Sequence, residues 1–138
     1  MTRRWDEWFP EVARCCALAS AVMLCYPAAS GSEPDYPDFD TAPLLRRVVT
    51  GHAAANGLFI ALPSRFGSEG LLYLDGTSCI IDPFSRMLVE APRDEAVALM
   101  AEIDFGQRDD WLTLFPFFAT RRRDTYSALT DDKANPRQ

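Results

Sequence analysis

The stretch PEVARCCALASAVMLCYP, running from Pro10 to Pro27, decides the fold class. Up to about Ala21 its small and apolar residues Val12, Ala13, Cys16, Ala17 and Ser20 recur at intervals of three and four, the spacing of one helix face. Pro10 and Glu11 suit the first turn, where a missing N–H is harmless and a carboxylate meets the positive end of the helix dipole. The periodicity then stops. Val22 to Tyr26 is short, continuously apolar and ended by Pro27, the pattern of a strand covered on both faces. A helix running directly into such a strand predicts a parallel sheet, hence an α/β fold.

Working outward, the pattern repeats. A second helix is expected from about Leu44 to Asn56, with Gly57 as its C-cap, followed by a second buried strand at Leu58 to Leu62. Strands at Thr77 to Asp82 and Met87 to Glu90 flank the turn Pro83-Phe84-Ser85-Arg86, and Ala96 to Ile103 reads as one more strand. Two helix-strand units and a mostly antiparallel strand set make an α/β half-domain. Between them, Ala28 to Pro43 holds Pro34, Pro37 and Pro43 with Gly31 and Ser32, a long loop in which Tyr36 and Phe39 argue for packing over a site. After Gln107, Trp111, Phe115, Phe117 and Phe118 precede Arg121, Arg122, Arg123 and Tyr126, which looks like a docking tail. The expected organisation is one partial domain over residues 1–129 and a disordered polar tail over 130–138.

Composition narrows the function. The chain is 48% hydrophobic and 25% charged, which suits a globular domain, and its net charge of -6 would repel a phosphate backbone, so nucleic acid is excluded as a partner. Cys15, Cys16, Cys25 and Cys79 form neither paired CxxC knuckles nor the framework of a small secreted domain, so reduced thiols in the cytoplasm are expected. Arg3 and Arg4 before an apolar run imitate a signal peptide, but Asp6, Glu7 and Glu11 put acid where the leader should be basic. No apolar run reaches the roughly 18 residues of a membrane span. Asp35, Asp38 and Asp40 lack the glycine and final glutamate of a calcium loop, so no metal is expected. His52, the single histidine, reads as a packed helix residue together with Asn56.

Trp5-Asp6-Glu7-Trp8-Phe9-Pro10-Glu11 resembles the nucleophile-elbow motif of carbon-nitrogen hydrolases of the N-carbamoylputrescine amidase kind, in which a cysteine directly precedes such a run. Tyr26-Pro27-Ala28-Ala29 before Gly31-Ser32-Glu33-Pro34, Gly51-His52-Ala53-Ala54-Ala55-Asn56, Gly76-Thr77-Ser78, Asp82-Pro83 and Arg121 to Tyr126 occur in the same order and spacing. The resemblance covers residues 5–129. It implies the C-terminal half of a four-layer αββα nitrilase-type sandwich. It also implies a Glu-Lys-Cys triad that hydrolyses amide, carbamoyl or nitrile bonds with no cofactor. In that chemistry a thiolate attacks the carbonyl carbon, a glutamate shuttles the proton, and a lysine with one backbone N–H, here that of Trp5, stabilises the oxyanion.

By the same resemblance the cysteine's position is occupied by Arg4, and the glutamate and lysine would lie upstream of it. A guanidinium stays protonated and offers no lone pair for attack. No catalytic residue is therefore expected in this chain, which reads as an inactive fragment of a polyamine-biosynthesis hydrolase interrupted or misread just before Trp5. The alternative is a non-catalytic partner of a full-length hydrolase. Relatives that act on N-carbamoyl amino acids carry arginines where this chain has Glu7 and Trp8, so an amine-bearing or uncharged substrate is expected, with Glu7, Trp8 and Glu33 contacting it. The uncovered surface of a half-domain predicts a homo-oligomer or association with a full-length homologue.

Overall fold

The computed structural model describes residues 5–32, 34–36 and 38–131, so Arg4, Glu33 and most of the polar tail lie outside the described residues. A 3-10 turn at Asp6–Trp8 leads into α1 (Pro10–Leu18), β1 (Met23–Cys25), α2 (Ala42–Asn56) and β2 (Phe59–Leu62). The hairpin β3 (Phe66–Glu69) and β4 (Leu72–Asp75) follows, then β5 (Cys79–Ile81), β6 (Met87–Glu90) and α3 (Gly106–Leu114). The main sheet has the order β1-β2-β5-β6: β1 and β2 are parallel, the other pairs antiparallel, and β3-β4 stands as a separate two-stranded sheet.

The first helix closes earlier than its periodicity predicts. Ser20 takes the left-handed conformation (φ 70), and the N–H groups of Ala19, Ser20 and Ala21 turn back onto the carbonyls of Cys15, Ala17 and Cys16. The second helix starts two residues before the expected Leu44. Asp40 Oδ1 accepts the N–H of Ala42 at 3.1 Å, and Pro43 sits in the first turn, where its lack of an N–H is harmless. It ends as expected: Gly57 is left-handed (φ 58) and its N–H returns to the carbonyl of Ala53.

Both helices bury their apolar stripe on one face of the main sheet. Ala13 and Ala17 of α1 and Leu45, Val49 and Ala53 of α2 close over Leu24, Ile60 and Ile81. Truncating such a fully buried leucine to alanine costs about 2–5 kcal/mol, so Leu45 alone matters on the scale of a domain's stability.

Three expectations are corrected. The edge strand β1 is covered on one face only: Leu24 is buried, whereas Met23 is half-buried and Cys25 exposed, and on the far side of the sheet Phe59 of β2 is buried with Phe105 edge-on to its ring. Ala96 to Ile103 joins no sheet among the described residues, since no neighbouring strand offers it a ladder. The sequence after Gln107, read as a tail, begins inside α3, and Trp111 Nε1 donates to the carbonyl of Ala54 at 2.8 Å, fastening that helix to α2.

The turn between β5 and β6 is organised by one buried carboxylate. Asp82 Oδ1 accepts the N–H groups of Phe84 and Arg86 at 2.9 Å each, and Oδ2 takes Arg86 Nε at 2.6 Å. Asp82 is fully buried while the Arg86 side chain is 61% exposed. Removing the acceptor strands two backbone donors, whereas removing the arginine ends an interaction largely screened by water. Asp82→Ala should therefore lower unfolding free energy by about 2–3 kcal/mol in a urea titration, and Arg86→Ala by less than about 1 kcal/mol; equal losses would refute this division.

Candidate active-site cleft

The segment Trp5 to Trp8 folds as a 3-10 turn closed by Trp8 N–H to the Trp5 carbonyl at 3.1 Å and Phe9 N–H to the Asp6 carbonyl at 3.3 Å. Phe9 is extended and Pro10 opens α1, so the turn is held at the N-terminal end of that helix. This tight winding presents the side chains in different directions. Glu7 is turned inward at 2% exposure, Trp8 packs against the core, and Trp5 is 68% exposed. All three line one cleft of about 280 Å³.

The opposite wall comes from the start of the loop after β1. Ser30 to Ser32 run antiparallel to β4: Asp75 N–H donates to the Ser30 carbonyl at 3.0 Å and Ser32 N–H to the Tyr73 carbonyl at 2.8 Å. Tyr73 N–H in turn donates to Ser32 Oγ at 2.9 Å. Gly31 makes this approach feasible, since a Cβ there would stand 2.2 Å from the Tyr73 oxygen. Thr41 Oγ1 donates to the Gly31 carbonyl at 3.0 Å and joins the lining, which Leu72 and Leu74 of β4 complete.

Two polar contacts hold these walls from outside. Arg93 donates to Asp40 Oδ2 at 2.8 Å, and Tyr73 Oη to Asp94 Oδ1 at 2.5 Å. The Arg93 hydrogen bond holds the Asp40 carboxyl below its ordinary pKa, and the Asp94 carboxylate raises that of Tyr73. Adjacent residues thus tie down the end of the loop and the strand it lies on.

The residues singled out in sequence fall into three groups. Glu7, Trp8 and Trp5 meet in the cleft. Arg4 and Glu33 lie outside the described residues, although Trp5 and Ser32 beside them line it. His52 is buried on α2 away from the cleft lining; Asn56 Nδ2 caps its carbonyl at 2.9 Å, and burial lowers the imidazole pKa. No cysteine lines the cleft. Cys79 is buried with its thiol pushed up to about 11 by desolvation, while Cys15 and Cys25 are exposed elsewhere. Among the described residues no cluster of His, Cys, Asp and Glu could hold a metal ion. Arg122 forks onto Asp124 through two hydrogen bonds of 3.0 and 2.7 Å, which meets part of the charge of the arginine run.

Sequence reasoning missed Ser30, Thr41, Leu72 and Leu74. The signal for the last two was present: Gly70 (φ 61) between Phe66–Glu69 and Leu72–Asp75 marks a hairpin turn. Ser30 and Thr41 carry no such signal, because only the chain's path brings them to Glu7.

Known proteins resemble this chain over most of its length. The family model described as carbon-nitrogen hydrolase matches residues 4–112. A citrullinase of Francisella tularensis is 37% identical over 129 residues, covering 91% of this chain and 45% of its own length. The N-carbamoylputrescine amidase of Arabidopsis thaliana is 35% identical over 133 residues, with 91% and 44% covered. A carbon-nitrogen hydrolase of Helicobacter pylori superposes with a TM-score of 0.84 at 30% identity, over 93% of this chain and 47% of that one. The chain spans about half the length of the relatives it matches.

Two measurements check the assignments of the unused groups. Iodoacetamide near pH 8 should alkylate Cys15 and Cys25 readily and leave Cys79 unmodified until the chain is unfolded, since a thiol at about 11 yields little thiolate. A folded-state imidazole pKa lowered by burial implies stability that is intact above about pH 6.5 and falls below it, where the unfolded chain takes up a proton the folded chain refuses. The urea midpoint should drop between about pH 7 and pH 5, and His52→Gln should flatten that drop; an unchanged slope would remove His52 as its source.

Proposed function

Because the chain belongs to the carbon-nitrogen hydrolase family, we propose that its cleft is the substrate-holding half of an amidase site for carbamoyl or amide compounds bearing a free amine, of which N-carbamoylputrescine is the model. The observation that carries this reading is Glu7, a buried acidic residue that lines the cleft together with Trp5 and Trp8. An ammonium group there gains charge pairing with the carboxylate and cation–π attraction from Trp5 and Trp8. A carboxylate-bearing substrate would meet like charge instead. The similarity to N-carbamoylputrescine amidases of several plants supports the same substrate class, and with it a place in polyamine synthesis in the cytoplasm.

The chemistry needs a thiolate to attack the carbonyl carbon, form a thioester as the C–N bond breaks and ammonia leaves with a proton from an acid, and then lose the acyl group to water. In this division the Trp5 N–H donates to the oxyanion, and Glu7, Trp8 and Glu33 orient the amine end of the substrate. The nucleophile falls at position 4, where arginine can neither lose its proton nor attack. These 138 residues alone are therefore an inactive half-site.

Purified chain should release no ammonia from N-carbamoylputrescine, and Arg4→Cys alone should leave it inactive. Fused through Arg4→Cys to the first half of the Arabidopsis thaliana enzyme, it should turn over that substrate. In the fusion, Glu7→Gln should raise KM about tenfold with a smaller change in kcat, the loss of one ion pair worth about 1.4 kcal/mol. Ammonia release by the unfused chain that survives thiol alkylation would sink the reading of inactivity, and an unchanged KM would sink the role of Glu7.

A further inference from the structure

Thr41 lines the cleft half-buried, and its hydroxyl proton is already committed: Oγ1 donates to the Gly31 carbonyl at 3.0 Å. A hydroxyl has a single proton to give but also accepts, so what Thr41 Oγ1 has left to offer the cleft is its lone pairs. The helix behind it makes no claim on them. Thr41 is the N-cap of α2 yet forms no side-chain cap bond, and Asp40 Oδ1 takes the Ala42 N–H at 3.1 Å in its place.

The backbone beside Thr41 has the same bias. The Ser32 N–H is spent on the Tyr73 carbonyl at 2.8 Å. The carbonyls of Ser30 and Gly31 take the Asp75 N–H at 3.0 Å and the Thr41 hydroxyl, and each keeps a second lone pair. Glu7, acceptor-only when ionised, stands on the opposite wall. A ligand in this space therefore meets hydrogen-bond acceptors on both sides, while Leu72 and Leu74 give apolar surface to a methylene chain.

We infer that Thr41 is a specificity residue that reads the N–H groups of a primary ammonium, which rests on the amine reading above and deepens it. Charge pairing with Glu7 and cation–π attraction from Trp5 and Trp8 do not by themselves favour a primary ammonium over a trimethylated one, since aromatic faces hold quaternary ammonium well. Hydrogen bonding does separate them. The primary ammonium brings donors for Thr41 Oγ1 as well as for Glu7, whereas the trimethylated group has the same charge and no donor. Seated in the cleft, it strips water from the threonine oxygen and leaves that acceptor unmet, and sites built to hydrogen-bond a ligand reject analogues on this ground.

The test titrates the full chain with N-carbamoylputrescine and with the same compound trimethylated at its ammonium. Binding is read by quenching of tryptophan fluorescence, since Trp5 and Trp8 line the cleft. The primary ammonium should bind about tenfold more tightly. Thr41→Val should weaken it about tenfold while moving the trimethyl compound less than about twofold, and Thr41→Ser, which keeps the hydroxyl, should keep the preference. Equal binding of the two compounds by the wild-type chain would overturn the inference. So would equal weakening of both in Thr41→Val, the mark of a threonine that only braces Gly31. In either case the amine reading stands. Quenching by neither compound would overturn that reading, and the role of Thr41 with it.

Discussion

Everything in this half-domain hangs on the parallel pairing of β1 with β2. Two parallel neighbours cannot be joined by a tight turn, so the chain must leave the carboxyl end of β1 and travel back along one face of the sheet. Here α2 makes the return, and its stripe of Leu45, Val49 and Ala53 is buried because it must lie on that face. The departure at Tyr26 has the larger consequence. It throws Ala29 to Ser32 out beyond the carboxyl edge, where ligands enter open α/β sheets, and the turn from Trp5 to Trp8 comes to face them. Burial of the helices and placement of the cleft thus follow from one topological constraint.

The fold belongs to the nitrilase superfamily, whose four-layer αββα sandwich these residues half fill. What was legible in the sequence follows the range of the forces involved. Periodicity and local punctuation gave α1, α2, β1, β2, β5 and β6 to within a few residues, because a helix stripe, a left-handed glycine at position 57 and a proline at 27 act over one or two turns. The first end of α2 was misjudged because Asp40, a loop residue ahead of the N-cap Thr41, takes the N–H of Ala42, a role that depends on side-chain direction. Apolar runs such as Leu58 to Leu62 predict covering on both faces, whereas the described residues cover mainly one, because a sequence does not say where a cover comes from. The same limit explains Ala96 to Ile103, a strand in composition that lacks a ladder among the described residues.

The site divides along the same line. Trp5, Glu7 and Trp8 were singled out because they lie in one short motif that resembles the family's nucleophile elbow, and they line one cleft. Ser30, Thr41 and Leu74 were not, since the chain between them and Glu7 contains the whole of β1 and its loop. His52 shows the converse: a titratable residue that draws attention in sequence is a packed helix residue once its burial and backbone cap are seen.

Gly31 sets how this pocket can be reshaped. Its α-carbon lies so near the Tyr73 carbonyl that no side chain fits between loop and strand, and backbone hydrogen bonds zip the two into a single rail. A lineage in search of a new substrate cannot widen or recharge the cleft from that rail without unzipping it. Chemical novelty has to come from across the gap, at Trp5, Glu7 and Trp8, so the pocket has one mutable bank and one fixed bank.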